Sequence, residues 1–210
     1  MLSGAGGKSF VSGADISKFE SERASKEAVA EYNQMTKKVY DSVANFPKPT
    51  IAQIDGFCIG GGVGLAASCD MRFCGTASQF AIPAARLGLG YEYEGVNRLV
   101  QIIGPAFTKE VFFTARRFSS QEMASMGFVN KVIDDNELAS YCVEVADMIA
   151  ANAPLTIEAT KFIANQCILE KSEKDLDECD AKVMTCFESA DYIEGRRAFM
   201  EKRTPIFEGK

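Results

Sequence analysis

The stretch IAQIDGFCIGGGVGLAASCDMRF, residues 51–73, decides the fold of this chain. Thr50-Ile-Ala-Gln-Ile54 is a short apolar run that reads as a buried strand. Asp55-Gly56 is a turn signal. Gly60, Gly61 and Gly62 then lead into Leu65-Ala66-Ala67, small and apolar residues that predict a buried helix. Asp70-Met-Arg-Phe-Cys74 is the next strand. Strand, glycine turn, buried helix and strand in succession predict α/β layering. The glycine turn admits two readings. Its backbone N–H groups face an anion at the helix start, or its missing side chains let helix and sheet pack closely.

Upstream, Val29, Tyr32, Met35, Val39, Val43 and Phe46 recur every three or four residues. This spacing predicts a helix with one apolar face, capped by Ser25 and stopped by Pro47-Lys-Pro49. Residues 4–16, GAGGKSFVSGADI, are too glycine-rich and irregular for a helix. Downstream, Ser78-Gln-Phe-Ala81 is a strand, 86–95 a loop, and 95–103, 105–116 and 120–126 are helices. Ser119 and Glu122 stand at capping-box spacing. Phe128–Ile133 is another strand. From Asp134 to Ala190 the pattern is almost wholly helical, with Pro154 at a helix start. The expected organisation is an α/β core over 1–134 and a helical region over 135–210.

Composition excludes whole classes of chemistry. The chain has 210 residues, 47% of them apolar, 25% charged and none of them histidine. Every Ser-His, Cys-His and His-metal mechanism is therefore removed. Proton transfer falls to carboxylates, Tyr, Lys, Cys or water. A net charge of −6 argues against a nucleic-acid partner, since duplex binding rests on a basic surface. Seven cysteines, with no C-x-x-C, argue against a disulfide framework or a metal site and for the reducing cytoplasm. No apolar run approaches the ~18 residues of a membrane span, and no signal peptide is expected at the start. Gly62-Val-Gly64-Leu-Ala-Ala67 fits a dinucleotide fingerprint by letters. No Asp or Glu lies between Met71 and Tyr91, where the ribose-binding acid belongs, so that reading falls.

Four ordered segments together resemble the crotonase superfamily, the enoyl-CoA hydratase/isomerase family. GAGGKSFVSGADI (4–16) is similar to its first oxyanion segment, and the 51–73 stretch to its second. FAIPAARLGLG (80–90) sits where its next active-site strand and loop run. SADYIEGRRAFMEKRTPIF (189–207) resembles its C-terminal signature. The resemblance implies a spiral of β-β-α turns with a C-terminal helical trimerisation region. It implies an acyl-CoA thioester as substrate, no permanently bound cofactor, no metal, and a homotrimer or dimer of trimers. The oxyanion donors implied are the backbone N–H groups of Ala14 and Gly61, which fits the physics of fixed donors at a developing charge. Substrate contacts are implied for Ser12, Gly13, Asp15, Ile16, Gly60, Ala84 and Leu87. Asp15 is expected to shape the oxyanion loop rather than move protons. Phe199 is implied beside a neighbouring subunit's CoA adenine, and Lys202 at its phosphate. The helix after Asp15 and the 86–94 loop are expected to line the acyl pocket.

The chain also departs from the family. The two glutamates that position water in the usual hydratases fall at Gly64 and Ala84. A general acid or base contributes about 10²–10⁴-fold, so hydration by that route is not expected. Replacement groups lie in Gly90-Tyr91-Glu92-Tyr93-Glu94. Glu92 falls where dienoyl-CoA isomerase relatives carry an acidic catalytic residue. Tyr91 falls where methylmalonyl-CoA decarboxylase relatives place a tyrosine, although those relatives have histidine at the position of Ala14. Met1 falls inside the strand leading into the first segment, and the family's preceding strand-helix-strand unit is expected to be missing. Two functions follow: an acyl-CoA isomerase- or decarboxylase-like enzyme using Glu92 or Tyr91, or a non-catalytic acyl-CoA binder.

Overall fold

The computed structural model describes residues 1–15 and 25–210. They form two compact units: Met1–Phe46 with Thr50–Cys142, and Pro47–Pro49 with Val143–Lys210.

The first unit is built on two sheets. Strands β1 (Leu2–Ser3), β3 (Ile51–Ile54), β5 (Met71–Gly75) and β8 (Lys131–Ile133) lie in that order, all parallel. Strands β2 (Ser9–Val11), β4 (Phe57–Ile59), β6 (Gln79–Ala81) and β7 (Phe118–Ser119) form the second sheet, with only the last pair antiparallel. Each hairpin-like step moves the chain from one sheet to the other. β3 turns at Asp55-Gly56 into β4, and β5 turns into β6. Gly56 sits at φ +65°, and a methyl there would lie 2.2 Å from the Lys8 carbonyl oxygen, so the turn requires glycine. Ile51, Ala52 and Ile54 of this run are buried, with β3 between β1 and β5. Cys58, Cys74, Phe80, Phe118 and Phe128 fill the core. Phe80 and Phe128 meet edge-to-face at 5.9 Å. Burial pushes the Cys74 thiol up to about 12, with Asp135 adding to it. At neutral pH it is an inert apolar filler.

Helices α1 (Lys26–Ala44), α2 (Gly61–Ala67), α3 (Ala84–Leu87), α4 (Tyr93–Thr114) and α5 (Ser120–Ser125) complete this unit. Ser25 caps α1 through the Ala28 N–H, and Ser119 and Glu122 form the predicted capping box on α5. Four expectations need correction. Helix α1 forms, but only part of its predicted apolar stripe points inward: Tyr32 lines a cavity and Val43 packs on the core. Val29, Met35 and Val39 are 37%, 62% and 50% exposed. The inward stripe is Tyr32, Thr36 and Tyr40, one i+4 row that faces a cavity instead of the core. The loop expected over 86–95 is shorter. Ala84–Leu87 makes one helical turn, closed by Gly88 at φ +64°, and α4 already starts at Tyr93. The expected break before Pro105 is a kink, with Gly104 at φ +73° inside α4. Finally, β8 covers only Lys131–Ile133. Phe128 folds back to close the turn after α5, its N–H bonding to the Met123 carbonyl at 2.9 Å.

The second unit holds α7 (Pro154–Cys167), α8 (Leu176–Glu188) and α9 (Ala190–Glu201). Helix α6 (Leu138–Ala150) runs from the first unit into it. Pro154 stands at the helix start as its spacing predicts. The tail is tied to α9 by two carboxylates. Asp191 accepts from the N–H groups of Glu208 and Gly209 at 2.7 and 2.9 Å. Glu194 accepts from Arg203, Arg197 and the Ile206 N–H. These donors, Arg203 first, hold the Glu194 carboxyl far below its ordinary 4.5. A depressed carboxyl stabilises the fold above its ordinary value, and that contribution fades as pH falls. Hydrogen exchange at the Ile206 amide is therefore expected to quicken below about pH 4.5, beyond its intrinsic pH dependence. The Glu194→Gln variant is expected to lose that extra dependence.

Among the described residues no helix is long and apolar enough to cross a membrane. Among them, no cluster of three or more His, Cys, Asp or Glu is placed to hold a metal.

Candidate active site

A cavity of about 220 Å³ opens in the first unit, where the two glycine segments meet. Ser12, Gly13 and Ala14 follow β2 on one side, and Gly60 and Gly61 follow β4 on the other. The turns touch. The missing Cβ of Gly13 would lie 3.6 Å from the Ile59 carbonyl oxygen, and that of Gly60 would lie 4.0 Å from the Gly13 Cα. Parallel pairing of β2 with β4 causes this, because it brings the C-terminal ends of both strands to the same edge.

Each glycine of the triplet has its own reason. Gly60 takes φ +56°, ψ −115°, a conformation other residues avoid. Its N–H is spent on the Ala81 carbonyl at 2.8 Å. Gly61 is the first residue of α2, so its N–H has no acceptor within the helix. Gly62 is packing: a methyl there would lie 2.6 Å from the Val11 carbonyl oxygen and 2.9 Å from the Val11 Cβ. Close packing thus holds at Gly62, while Gly61 keeps an N–H without an acceptor inside the helix.

The remaining wall comes from α1, α3 and α4. Ala84 is buried and Leu87 is half exposed, and both line the cavity. Tyr91 and Glu92 line it from the turn before α4. The Tyr91 ring stands edge-to-face on Phe112 at 5.0 Å. Glu92 occupies the cap position of α4, and its Oε1 accepts from Asn33 Nδ2 at 2.9 Å. Asp41 and Glu94 are further carboxylates in the wall. Asp41 accepts from Lys37 at 2.6 Å and from Arg98 at 3.3 Å, and the Lys37 bond above all holds its carboxyl below the usual range. A carboxylate so neutralised is a poor base. The partner that Glu92 bonds is a neutral amide, so this bond brings it no opposing charge.

Asp15 is exposed and does not line the cavity. Ile16, and the helix expected after Asp15, lie outside the described residues. Phe199 and Lys202 belong to the second unit. Phe199 is 82% exposed, and Lys202 ends α9 at φ +55°. The sequence reading missed Tyr40, whose hydroxyl donates to the Gly61 carbonyl at 3.0 Å. It also missed Asn33 and the Lys37–Asp41–Arg98 group. The i+4 spacing of Tyr32, Thr36 and Tyr40 was the available signal, masked by the more hydrophobic row beside it.

The enoyl-CoA hydratase/isomerase family model matches residues 1–210. The chain belongs to the enoyl-CoA hydratase/isomerase family. It is 34% identical over 206 residues to a short-chain-enoyl-CoA hydratase of Clostridium acetobutylicum, covering 97% of this chain and 77% of that protein. It is 34% identical over 211 residues to a crotonyl-CoA hydratase of Syntrophomonas wolfei, covering 100% and 80%. Among solved structures, an enoyl-CoA hydratase/carnithine racemase from Magnetospirillum magneticum superposes with a TM-score of 0.89. That structure is 34% identical, with 99% of this chain and 77% of the other covered. The α/β spiral followed by helices is thus the crotonase fold. Gly64 and Ala84 both line the wall without a titratable side chain.

Proposed function

We propose that this protein processes acyl-CoA thioesters and stabilises a thioester enolate between the N–H groups of Ala14 and Gly61. The observation that carries this reading is the meeting of the two glycine turns at one cavity. Donors fixed by the fold cost no reorganisation when charge develops on the carbonyl oxygen, which is why such pairs accelerate enolisation. Gly13, Gly60 and the small Ala84 leave room for the thioester, while Ser12 and Leu87 border it. A proton leaves or joins the carbon beside the thioester, and the group that moves it is Glu92 or Tyr91. Glu92 is favoured because Asp41 is neutralised by Lys37 and Arg98. The curated relatives named as hydratases support the substrate class. Gly64 and Ala84 argue for isomerisation or decarboxylation over hydration.

The same reading places CoA adenine at Phe199 and CoA phosphate at Lys202 of a neighbouring subunit, in a homotrimer or dimer of trimers. Exposed apolar residues of the helical unit, among them Phe187, Ile193 and Met200, support burial on association. The compartment assigned is the reducing cytoplasm, in keeping with seven cysteines.

The test is a mass-spectrometric turnover screen with saturated, 2-enoyl, 3-enoyl, dienoyl and malonyl-type CoA thioesters. One of them is expected to turn over, and Glu92→Gln or Tyr91→Phe is expected to lower its rate about 10²–10⁴-fold. Binding without turnover of any thioester would instead favour the non-catalytic binder, a reading that Gly64 and Ala84 support. Absence of thioester binding would remove both.

A further inference from the structure

Tyr40 reaches the glycine turn from helix α1, and nothing in the mechanism above uses it. Its hydroxyl donates to the Gly61 carbonyl at 3.0 Å. Its ring lies against Gly64: a methyl on that glycine would sit 2.8 Å from the hydroxyl oxygen and 2.9 and 3.0 Å from ring carbons. A methyl on Gly61 would sit 3.1 Å from the same oxygen. The side chain thus touches the turn on two sides and lines the cavity.

The phenol is not placed to exchange protons with a substrate. It has one proton, and that proton is on the Gly61 carbonyl. Burial, with Tyr91 and Tyr32 close by, pushes its pKa up to about 12, so it is not a base near neutrality. What it does is hold. Glycine has the freest backbone of any residue, and Gly61 is the residue whose N–H must stay aimed. A bond to its carbonyl restricts rotation of the peptide on its far side. The ring occupies the volume that any side chain at position 64 would need.

We propose that Tyr40 is a positioning residue for the oxyanion turn, its hydroxyl fixing Gly61 and its ring filling the space opposite Gly64, so that tyrosine at 40 and glycine at 64 are a matched pair. The inference rests on the proposed role of the Gly61 N–H in binding a thioester oxyanion.

The probe is acetoacetyl-CoA, whose enolate absorbs in the near ultraviolet and whose binding is read separately by calorimetry. Wild-type protein is expected to bind it and develop the enolate band. The Tyr40→Phe variant keeps the ring and is expected to bind, with an enolate fraction reduced about 3- to 10-fold, the size of one lost hydrogen bond. In the wild-type background Gly64→Ala is expected to lower both the denaturation midpoint and the band. In the Tyr40→Ala background Gly64→Ala is expected to change neither. An unchanged band in Tyr40→Phe, or an equal cost of Gly64→Ala in both backgrounds, would overturn the proposal. Failure of the wild type to bind acetoacetyl-CoA would overturn the thioester reading instead, and with it the oxyanion role of Tyr40. The stability half of the cycle then still decides whether positions 40 and 64 are matched.

Discussion

Ala14→Pro is expected to lower turnover of the protein's thioester substrate by about 10²–10³-fold, the cost of deleting one donor of the proposed oxyanion pair. Proline removes the backbone N–H and adds no charge. Ala14 is not among the described residues with positive φ, so proline's negative φ meets no left-handed backbone there. The side chain at 14 is not itself needed, so Ala14→Gly is expected to keep most of the rate. Thioester affinity in Ala14→Pro is expected to change far less than the rate, since the donor bonds more strongly to the enolate than to the ground-state carbonyl. Steady-state kinetics beside a calorimetric titration separate the two effects. Rates within a few-fold of wild type in Ala14→Pro would place the oxyanion elsewhere.

The largest expected loss of stability is at Arg72. This guanidinium is only 8% exposed, and no carboxylate bonds to it among the described residues. Its Nε donates to the Phe128 carbonyl at 2.6 Å. One terminal nitrogen donates to the carbonyls of Cys69 and Ala66 at 2.7 and 3.4 Å. The Ala66 carbonyl lies in the last turn of α2, so the positive charge also sits at the favourable end of that helix. Two effects compete on removal. Burial disfavours the charge, as its lowered pKa reflects, and Arg72→Met relieves that. The same change leaves buried carbonyls without a donor, at about 1–3 kcal/mol each. With more than one carbonyl orphaned, the loss prevails. We expect Arg72→Met to cost about 2–4 kcal/mol, combining that penalty with the usual range for broken buried networks. The denaturation midpoint is expected to fall by about 5–15 °C for a chain of this length. Arg72→Lys is expected to be intermediate, because one ammonium cannot span carbonyls of two separate elements. An unchanged midpoint in Arg72→Met would show that relief of burial balances the lost bonds. Because Arg72 secures one end of α2 and Gly61 opens the other, the stability and the chemistry of this protein meet on one short helix.

Much of this arrangement was legible in the chain. Turn glycines, the Ser25 and Ser119 caps, Pro154 and the apolar run Ile51–Ile54 act through neighbours a few residues away, so their effects appear in local spacing. Gly60 and Gly62 were visible as a triplet. Their separate duties were not, because Gly62 answers to Val11, a residue distant in sequence. Helix α1 shows the limit most plainly. Periodicity found the helix but placed its inward face only in part, at Tyr32 and Val43, since an apolar row is buried only if something packs on it. Here the row of Tyr32, Thr36 and Tyr40 faces the cavity, while Val29, Met35 and Val39 face away.

The sequence by itself determined most of the helices, the strands β3, β5 and β6, the glycine turns, the absence of histidine chemistry and the family, but not the short strands β2, β4 and β7. The features it determined depend on residue type and on short-range backbone preference. Tertiary structure alone decided which carboxylates are already neutralised, that the Gly64 position is filled by Tyr40, and that Arg72 closes the helix Gly61 opens. Arg98 with Asp41, and Tyr40 with Gly64, are far apart in the chain, and only the packing of helices α1, α2 and α4 brings them together.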